Sequence, residues 1–190
     1  LQKVLPTSIN ENLIKSSKIW QKEVVFESGS QNIIRAASGT GKSTLVKLIT
    51  GVATPQAGSI SFDGLVLNQT TQDELCLFRQ KSLSTVFQDM QLIASLTGRE
   101  NILINFATAD FIANKLEFLI KEFNIEKVID HKASTLSLGE QQRVAIIRAL
   151  AKPYQWLIMD EPFSHLDTEN GQIAFDYILK DAKDKKAGII

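Results

Sequence analysis

An α/β fold, with a mostly parallel sheet covered by helices, follows from three features of the sequence. Short apolar runs such as Trp156-Leu157-Ile158-Met159 have the length and composition of buried strands. Longer stretches between them carry apolar residues at helical spacing. The two kinds of segment alternate along the chain, the order in which helices come to cover a parallel sheet.

Taken in order, Ile33-Ile34-Arg35-Ala36 is predicted to be a buried strand that feeds a glycine-rich loop. Leu45, Val46, Leu48 and Ile49 then recur at helical spacing, and Gly51 is the expected stop. Ser59-Ile60-Ser61-Phe62 before Asp63-Gly64 reads as an edge strand and turn, part of an antiparallel β region in the N-terminal portion. Ser84-Thr85-Val86-Phe87 is a further strand, ending at Gln88. From Arg99 to Ile129 the pattern becomes helical. Phe111, Ile112, Leu116, Leu119, Ile120 and Phe123 form one apolar stripe broken only by Lys115, as in a helix packed on its neighbours. A helical subdomain inserted over roughly 90–150 is expected from this change of character. Ser137 is a candidate cap for a helix through Val144, Ile147 and Leu150 to about Pro153. Trp156 to Met159 then forms a strand ending at Asp160. Asp167 or Thr168 is expected to cap the last helix, with Ile173, Ile178 and Leu179 facing inward.

Length and composition narrow the function classes. The 190 residues suit one domain, 1–190, large enough for a proper core. Basic and acidic residues balance at 21 each without long blocks of one sign, so no nucleic-acid partner is expected. The single cysteine, Cys76, leaves no internal disulfide and fits a reducing compartment. No run approaches the length of a membrane span, and the first residues lack the pattern of a secretion signal. The chain begins without methionine and stops inside the apolar run Ala187-Gly188-Ile189-Ile190, which is the expectation for a fragment cut at both ends.

The chemistry begins at Ser38-Gly39-Thr40-Gly41-Lys42-Ser43-Thr44. Glycines free successive backbone amides to point into one concavity at a helix N-terminus, where they meet phosphate oxygens. Lys42 would sit between the terminal phosphates, Ser43 would bind Mg²⁺, and Thr44 would touch an inner phosphate. Ala36 stands where the usual phosphate-binding loop has its first glycine. The expected strand before the loop and helix after it weigh against a chance Gly-Lys-Ser. The fold is therefore expected to be that of a P-loop nucleoside triphosphatase. Asp160-Glu161 closes an apolar strand, at the end where open α/β sheets bind ligands. Asp160 would orient Mg²⁺ through its water shell, and Glu161 would polarise the water that attacks the terminal phosphate. Ser137 and Gly139 would make a second anion site at a helix start. Two readings of Ser137 stay open: a plain helix cap, or a cover for the nucleotide of a second subunit in a head-to-tail dimer.

In order and spacing, these elements resemble the ATP-binding subunits of ABC transporters over essentially the whole chain. The family signature Leu-Ser-Gly-Gly-Gln appears here as Leu136-Ser137-Leu138-Gly139-Glu140, with a bulkier third residue and an added negative charge. The resemblance implies a trans nucleotide contact by Ser137, Gly139 and Glu140, and a role at Mg²⁺ for Gln88. Alone, Gln88 reads as a surface glutamine. Ser164-His165-Leu166-Asp167 looks like the loop joining two active sites across a dimer, through Ser164, Leu166 and Asp167. Met90 to Asn101 resembles the segment facing a transmembrane partner. Where the family's adenine-stacking aromatic falls, this chain has Leu13, and Trp20 lies in what should be the strand before Gly29. The family's phosphate-contacting histidine is expected a few residues past Ile190, and neither His131 nor His165 matches it.

The resemblance thus implies an ATP hydrolase using ATP and Mg²⁺. It would work with a second ATP-binding subunit, the same or different, and with a transmembrane permease that holds it at the cytoplasmic face of the membrane. A soluble ABC ATPase of DNA repair or translation is the alternative, and a non-catalytic regulator another. The short distance from Lys42 to Ser137, without a heptad array, weighs against a repair protein. The intact Glu161 weighs against a regulator.

Overall fold

A computed structural model of the chain describes residues 1–6, 9, 11–104 and 113–190. The elements run β1 (Gln2–Leu5), α1 (Glu11–Ser16), α2 (Lys42–Ile49), β2 (Ala57–Ser59), β3 (Ser61–Phe62), β4 (Leu65–Val66) and α3 (Gln72–Lys81). They continue with β5 (Leu83–Val86), α4 (Gly98–Leu103), α5 (Ala113–Glu122), α6 (Leu138–Ala151), β6 (Trp156–Met159), α7 (Thr168–Lys185) and β7 (Gly188–Ile189).

The parallel sheet has the order β5-β6-β7. β6 lies in the middle, with Leu83 opposite Trp156 and Val86 opposite Met159 on one side, and Gly188 opposite Trp156 on the other. A central strand is covered on both faces, which is why β6 is apolar at every position. Its side chains alternate accordingly. Trp156 and Ile158 join α2, β1 and Leu83 in one core cluster, while Leu157 joins α5, α6 and α7 in the other.

The N-terminal portion is antiparallel, with β1 on β2 and β3 on β4. Asp63 and Gly64 between β3 and β4 both have positive φ, 47° and 90°, as a two-residue type I′ hairpin turn requires. The end of α2 is equally local. Gly51 takes φ 67° and donates its N–H to the carbonyl of Leu48.

The expected strand over Ile33–Ala36 does not form, and Ile33 is 76% exposed. Ser30 to Asn32 do run parallel to β7: Ile189 N–H donates to Ser30 O and Asn32 N–H to Ile189 O. Among the described residues this pairing reaches Asn32, and residues 33–36 make no backbone hydrogen bond to a strand. Trp20 is likewise in a turn rather than a strand, because the Ser17 hydroxyl accepts from the N–H groups of Ile19 and Trp20.

In the helical stretch, Leu116, Leu119, Ile120 and Phe123 are buried as their spacing predicts. Phe111 and Ile112 lie outside the described residues. Lys115 does not break the stripe's packing: its ammonium reaches the Leu150 carbonyl at 2.9 Å and Asp181 at 3.1 Å. On α7, Ile178 is buried and Leu179 partly so, and Ala174 and Ala182 complete the inward face. Among the described residues, no helix is long and apolar enough to cross a membrane.

Candidate functional site

The glycine-rich loop enters α2 through Gly39 and Gly41, both left-handed at φ 76° and 94°. Gly41 is the residue preceding the first helical turn. A side chain there would be strained, and its Cβ would also lie 2.3 Å from Ile9. Ser38 and Gly39 face solvent, and Ser43 and Thr44 stand in the first turn of α2. The Thr40 hydroxyl donates to the Ala37 carbonyl at 2.7 Å, closing the loop on itself. Trp20 supports it, with its indole N–H 3.4 Å from the Thr40 carbonyl. In this conformation the Lys42 ammonium donates to the carbonyls of Ala36 at 3.0 Å and Ala37 at 3.3 Å.

The register of the sheet brings a second group to the same place. Val86 of β5 is opposite Met159 of β6, so Gln88 and Glu161 each lie two residues beyond a matched pair. Gln88 Nε2 accordingly donates to Glu161 Oε2 at 3.4 Å, and Glu161 Oε1 is 3.7 Å from Lys42 Nζ. Asp160, directly before Glu161, is buried, and its N–H donates to the Val86 carbonyl. Lys42, Asp160 and Glu161 border a mainly apolar cavity of about 340 Å³. A second cavity of about 460 Å³ adjoins Lys42, between Ser16–Trp20 and Ile33–Ala36.

The other candidate residues gather at the start of α6. Ser137 caps the helix: its oxygen accepts from the Glu140 N–H at 3.4 Å, and its own N–H donates to the Glu140 carboxylate at 2.8 Å. That backbone hydrogen bond is the main reason the Glu140 carboxyl is held below its ordinary range. Leu138 is exposed, and Gly139 lies so near the following loop that a Cβ would meet the His165 carbonyl at 3.0 Å. In that loop, Ser164 Oγ is 3.0 Å from His165 Nδ1, and the Leu166 N–H donates to the Phe163 carbonyl. Asp167 caps α7 by accepting from the Asn170 N–H at 2.8 Å.

The expected residues therefore fall into two groups. Lys42, Gln88, Asp160 and Glu161 meet at the ends of β5, β6 and the glycine-rich loop. Ser137, Gly139 and Glu140 stand beside the loop of Ser164, Leu166 and Asp167. Gln142, which was not singled out above, is fully buried and bonded to Glu161, Ser164 and His165. The available signal was a glutamine among the apolar positions of α6, beside Val144, Ala145 and Ile146.

The family model described as ABC transporter matches residues 22–164, a span containing the whole first group and, of the second, Ser137, Gly139, Glu140 and Ser164. The chain belongs to the ABC transporter family. It is an ATP-binding subunit of that family and an ATP hydrolase. Among its relatives, it is 39% identical to the lipoprotein-releasing system ATP-binding protein LolD of Buchnera aphidicola subsp. Schizaphis graminum. That match covers 80% of this chain and 68% of the relative. It is 35% identical to LolD 1 of Chlorobium luteolum, over 85% of this chain and 73% of the relative. Among solved structures it is similar to dimeric MJ0796, a bacterial ABC transporter cassette, with a TM-score of 0.82 and 27% identity. That likeness covers 100% of this chain and 85% of the other. MJ0796 is also solved as a dimer in a post-hydrolysis state with ADP and Pi, at a TM-score of 0.80 and 26% identity.

Proposed function

We propose that this ABC ATPase subunit binds the phosphates of ATP with Ser38–Thr44 and hydrolyses the terminal one with Glu161 as general base. The observation that carries this reading is Glu161 itself, set at the end of β6 within reach of both Gln88 and Lys42. Lys42 moves from the Ala36 and Ala37 carbonyls to phosphate oxygens, a stronger charge-assisted partner. Glu161 orients and deprotonates the attacking water, and Gln88 holds the carboxylate in place.

The residues present fit Mg²⁺ as the accompanying ion. Among the described residues no cluster of three His, Cys, Asp or Glu is poised to hold a metal. Mg²⁺ does not need one, since it is commonly bound by one or two protein oxygens, substrate phosphates and water. Ser43 and the buried Asp160 supply such oxygens, and Gln88 a neutral one. Bound there, Mg²⁺ would neutralise charge on the phosphates.

A second ATP-binding subunit, packed head to tail, presents its Ser137, Gly139 and Glu140 to the nucleotide on Lys42, and Ser164, Leu166 and Asp167 line the joint. The dimeric state of MJ0796 supports this arrangement. A transmembrane permease subunit holds the pair at the cytoplasmic membrane face and uses the energy of hydrolysis. ATPase assay of Glu161→Gln, with nucleotide binding measured in parallel, tests the central assignment. Normal turnover in that variant overturns it.

A further inference from the structure

We propose that Gln142 is a positioning residue for ATP hydrolysis, fixing Glu161 and the loop that follows it to α6. The inference rests on the reading of Glu161 as the general base. It starts from an anomaly in the backbone: Glu161 has φ 48°, a left-handed conformation unfavourable for a residue with a Cβ. Such a conformation persists only where its surroundings hold it.

Two groups reach the Glu161 carbonyl, the Ser164 N–H of the same turn at 3.2 Å and, from a separate element, the side chain of Gln142. Its side chain is wholly buried, and its Nε2 donates to the Glu161 carbonyl at 3.2 Å and to Ser164 Oγ at 3.4 Å. Its Oε1 accepts from the His165 N–H at 2.7 Å. The orientation of the amide is decided by its neighbours. A backbone N–H can only donate, so the oxygen faces His165, and the NH₂ group is left for the Glu161 and Ser164 oxygens. A carboxylate has no proton to offer the Glu161 carbonyl, and a hydrocarbon of equal length satisfies neither side. Only an amide of this length meets all three partners.

The geometry has a consequence for the reaction. Gln142 stands on the helix whose first turn carries Ser137 and Gly139, and it grips both ends of the segment from Glu161 to His165. A shift of the signature helix is therefore passed to the backbone of the general base through one buried amide. With the Ser164 N–H, Gln142 thus holds the backbone from which the Glu161 carboxylate is aimed between Gln88 and Lys42.

The test is a double-mutant cycle in the full chain with its partner subunits, using Gln142→Met, Glu161→Gln and the pair. Gln142→Met keeps the side-chain length and removes every hydrogen bond. The expected result is a fall in kcat of roughly a hundredfold, the scale of a small misplacement of a reacting group. Nucleotide Kd should stay within about twofold, since Lys42 and its loop are untouched. Because Gln142 acts through Glu161, adding Gln142→Met to Glu161→Gln should cost little more. Gln142→Asn, which keeps the amide but draws it back by one carbon, is the second variant should Gln142→Met not fold. It should show the same loss of kcat at unchanged Kd. Lower melting temperature with unchanged kcat per folded molecule overturns the proposal, as does full additivity in the cycle. Near-normal turnover in Glu161→Gln would instead overturn the general-base reading. An inactive Glu161→Gln beside an active Gln142 variant defeats this inference alone.

Discussion

Gln88 Nε2 and Glu161 Oε2 lie 3.4 Å apart although 73 positions separate the residues in the chain. The contact is a product of strand register. β5 and β6 run parallel, Val86 faces Met159, and both chains leave the sheet at the same level. The other carboxylate oxygen of Glu161 is 3.7 Å from the Lys42 ammonium. One acidic side chain thus joins the glycine-rich loop to the two strand ends, and its two oxygens have different neighbours.

Replacing Glu161 by Gln should separate binding from chemistry. The amide keeps the size of the side chain and loses the ability to take a proton. Loss of a general base costs about a hundredfold or more in rate, so kcat should fall at least that far while ATP affinity persists. Steady-state ATPase assays beside calorimetric titration with ATP check both halves. An ATP-dependent dimer should also accumulate and be visible by gel filtration.

Lys42→Ala should act on binding first. The ammonium now spends its hydrogen bonds on the Ala36 and Ala37 carbonyls, which are free to exchange for phosphate. A hydrogen bond to a charged group is worth about 1.5–3 kcal/mol, or roughly ten- to two-hundredfold in Kd. Calorimetry with ATP measures it. Equal affinity in variant and parent contradicts the placement of Lys42 at the phosphates.

What was legible in the sequence was local. The hairpin turn at Asp63-Gly64, the caps at Ser137 and Asp167 and the stop at Gly51 depend on the residues within a few positions, and each appears where expected. The central strand was readable because four consecutive apolar residues ending in Asp160 need cover on both faces. Ile33–Ala36 has the same apolar look, but a strand is made by pairing, which a run of apolar residues does not reveal, and among the described residues pairing with β7 is seen only up to Asn32. Gln142 could not be assigned a role from its surroundings in sequence, because its partners Glu161, Ser164 and His165 arrive from beyond β6. Trp20 was expected in a strand and lies instead in a turn, buried with its indole N–H at the Thr40 carbonyl.

Lys152 gives a pH dependence whose sign can be worked out. Burial, and secondarily the nearby Arg148, lowers its pKa to about 8 from the ordinary 10.5. Between those values the unfolded chain keeps a proton that the folded chain has released, so stability should rise with pH there. Lys185, also lowered to about 8 chiefly by burial, acts in the same direction. Tyr154, raised chiefly by burial, opposes them only above about pH 10. Lys152→Met should therefore flatten the rise between pH 8 and 10 without abolishing it. Each lysine contributes at most about 1.4 kcal/mol per pH unit. Urea midpoints at pH 7.5, 8.5 and 9.5 check the slope. A parent protein losing stability over that range contradicts the assignment.

Ser137 separates a cap from a contact across subunits. Its hydroxyl oxygen takes the Glu140 N–H, and Glu140 returns a bond to the Ser137 N–H, so the residue has a full structural task within its own chain. Ser137→Ala should cost about 1 kcal/mol of stability through the lost cap. If capping were its whole task, turnover per folded molecule would not change. The trans reading predicts more. Ser137→Arg places a long cation where the nucleotide of the other subunit must close, and Lys42 and its loop in the same chain are left intact. ATP binding by the monomer should then persist while ATP-dependent dimerisation and hydrolysis fall together. Melting temperature, nucleotide affinity, dimer fraction and turnover measured on both variants decide between the readings. A Ser137→Arg protein that melts earlier yet dimerises and hydrolyses ATP as the parent does would leave Ser137 a helix cap and nothing more.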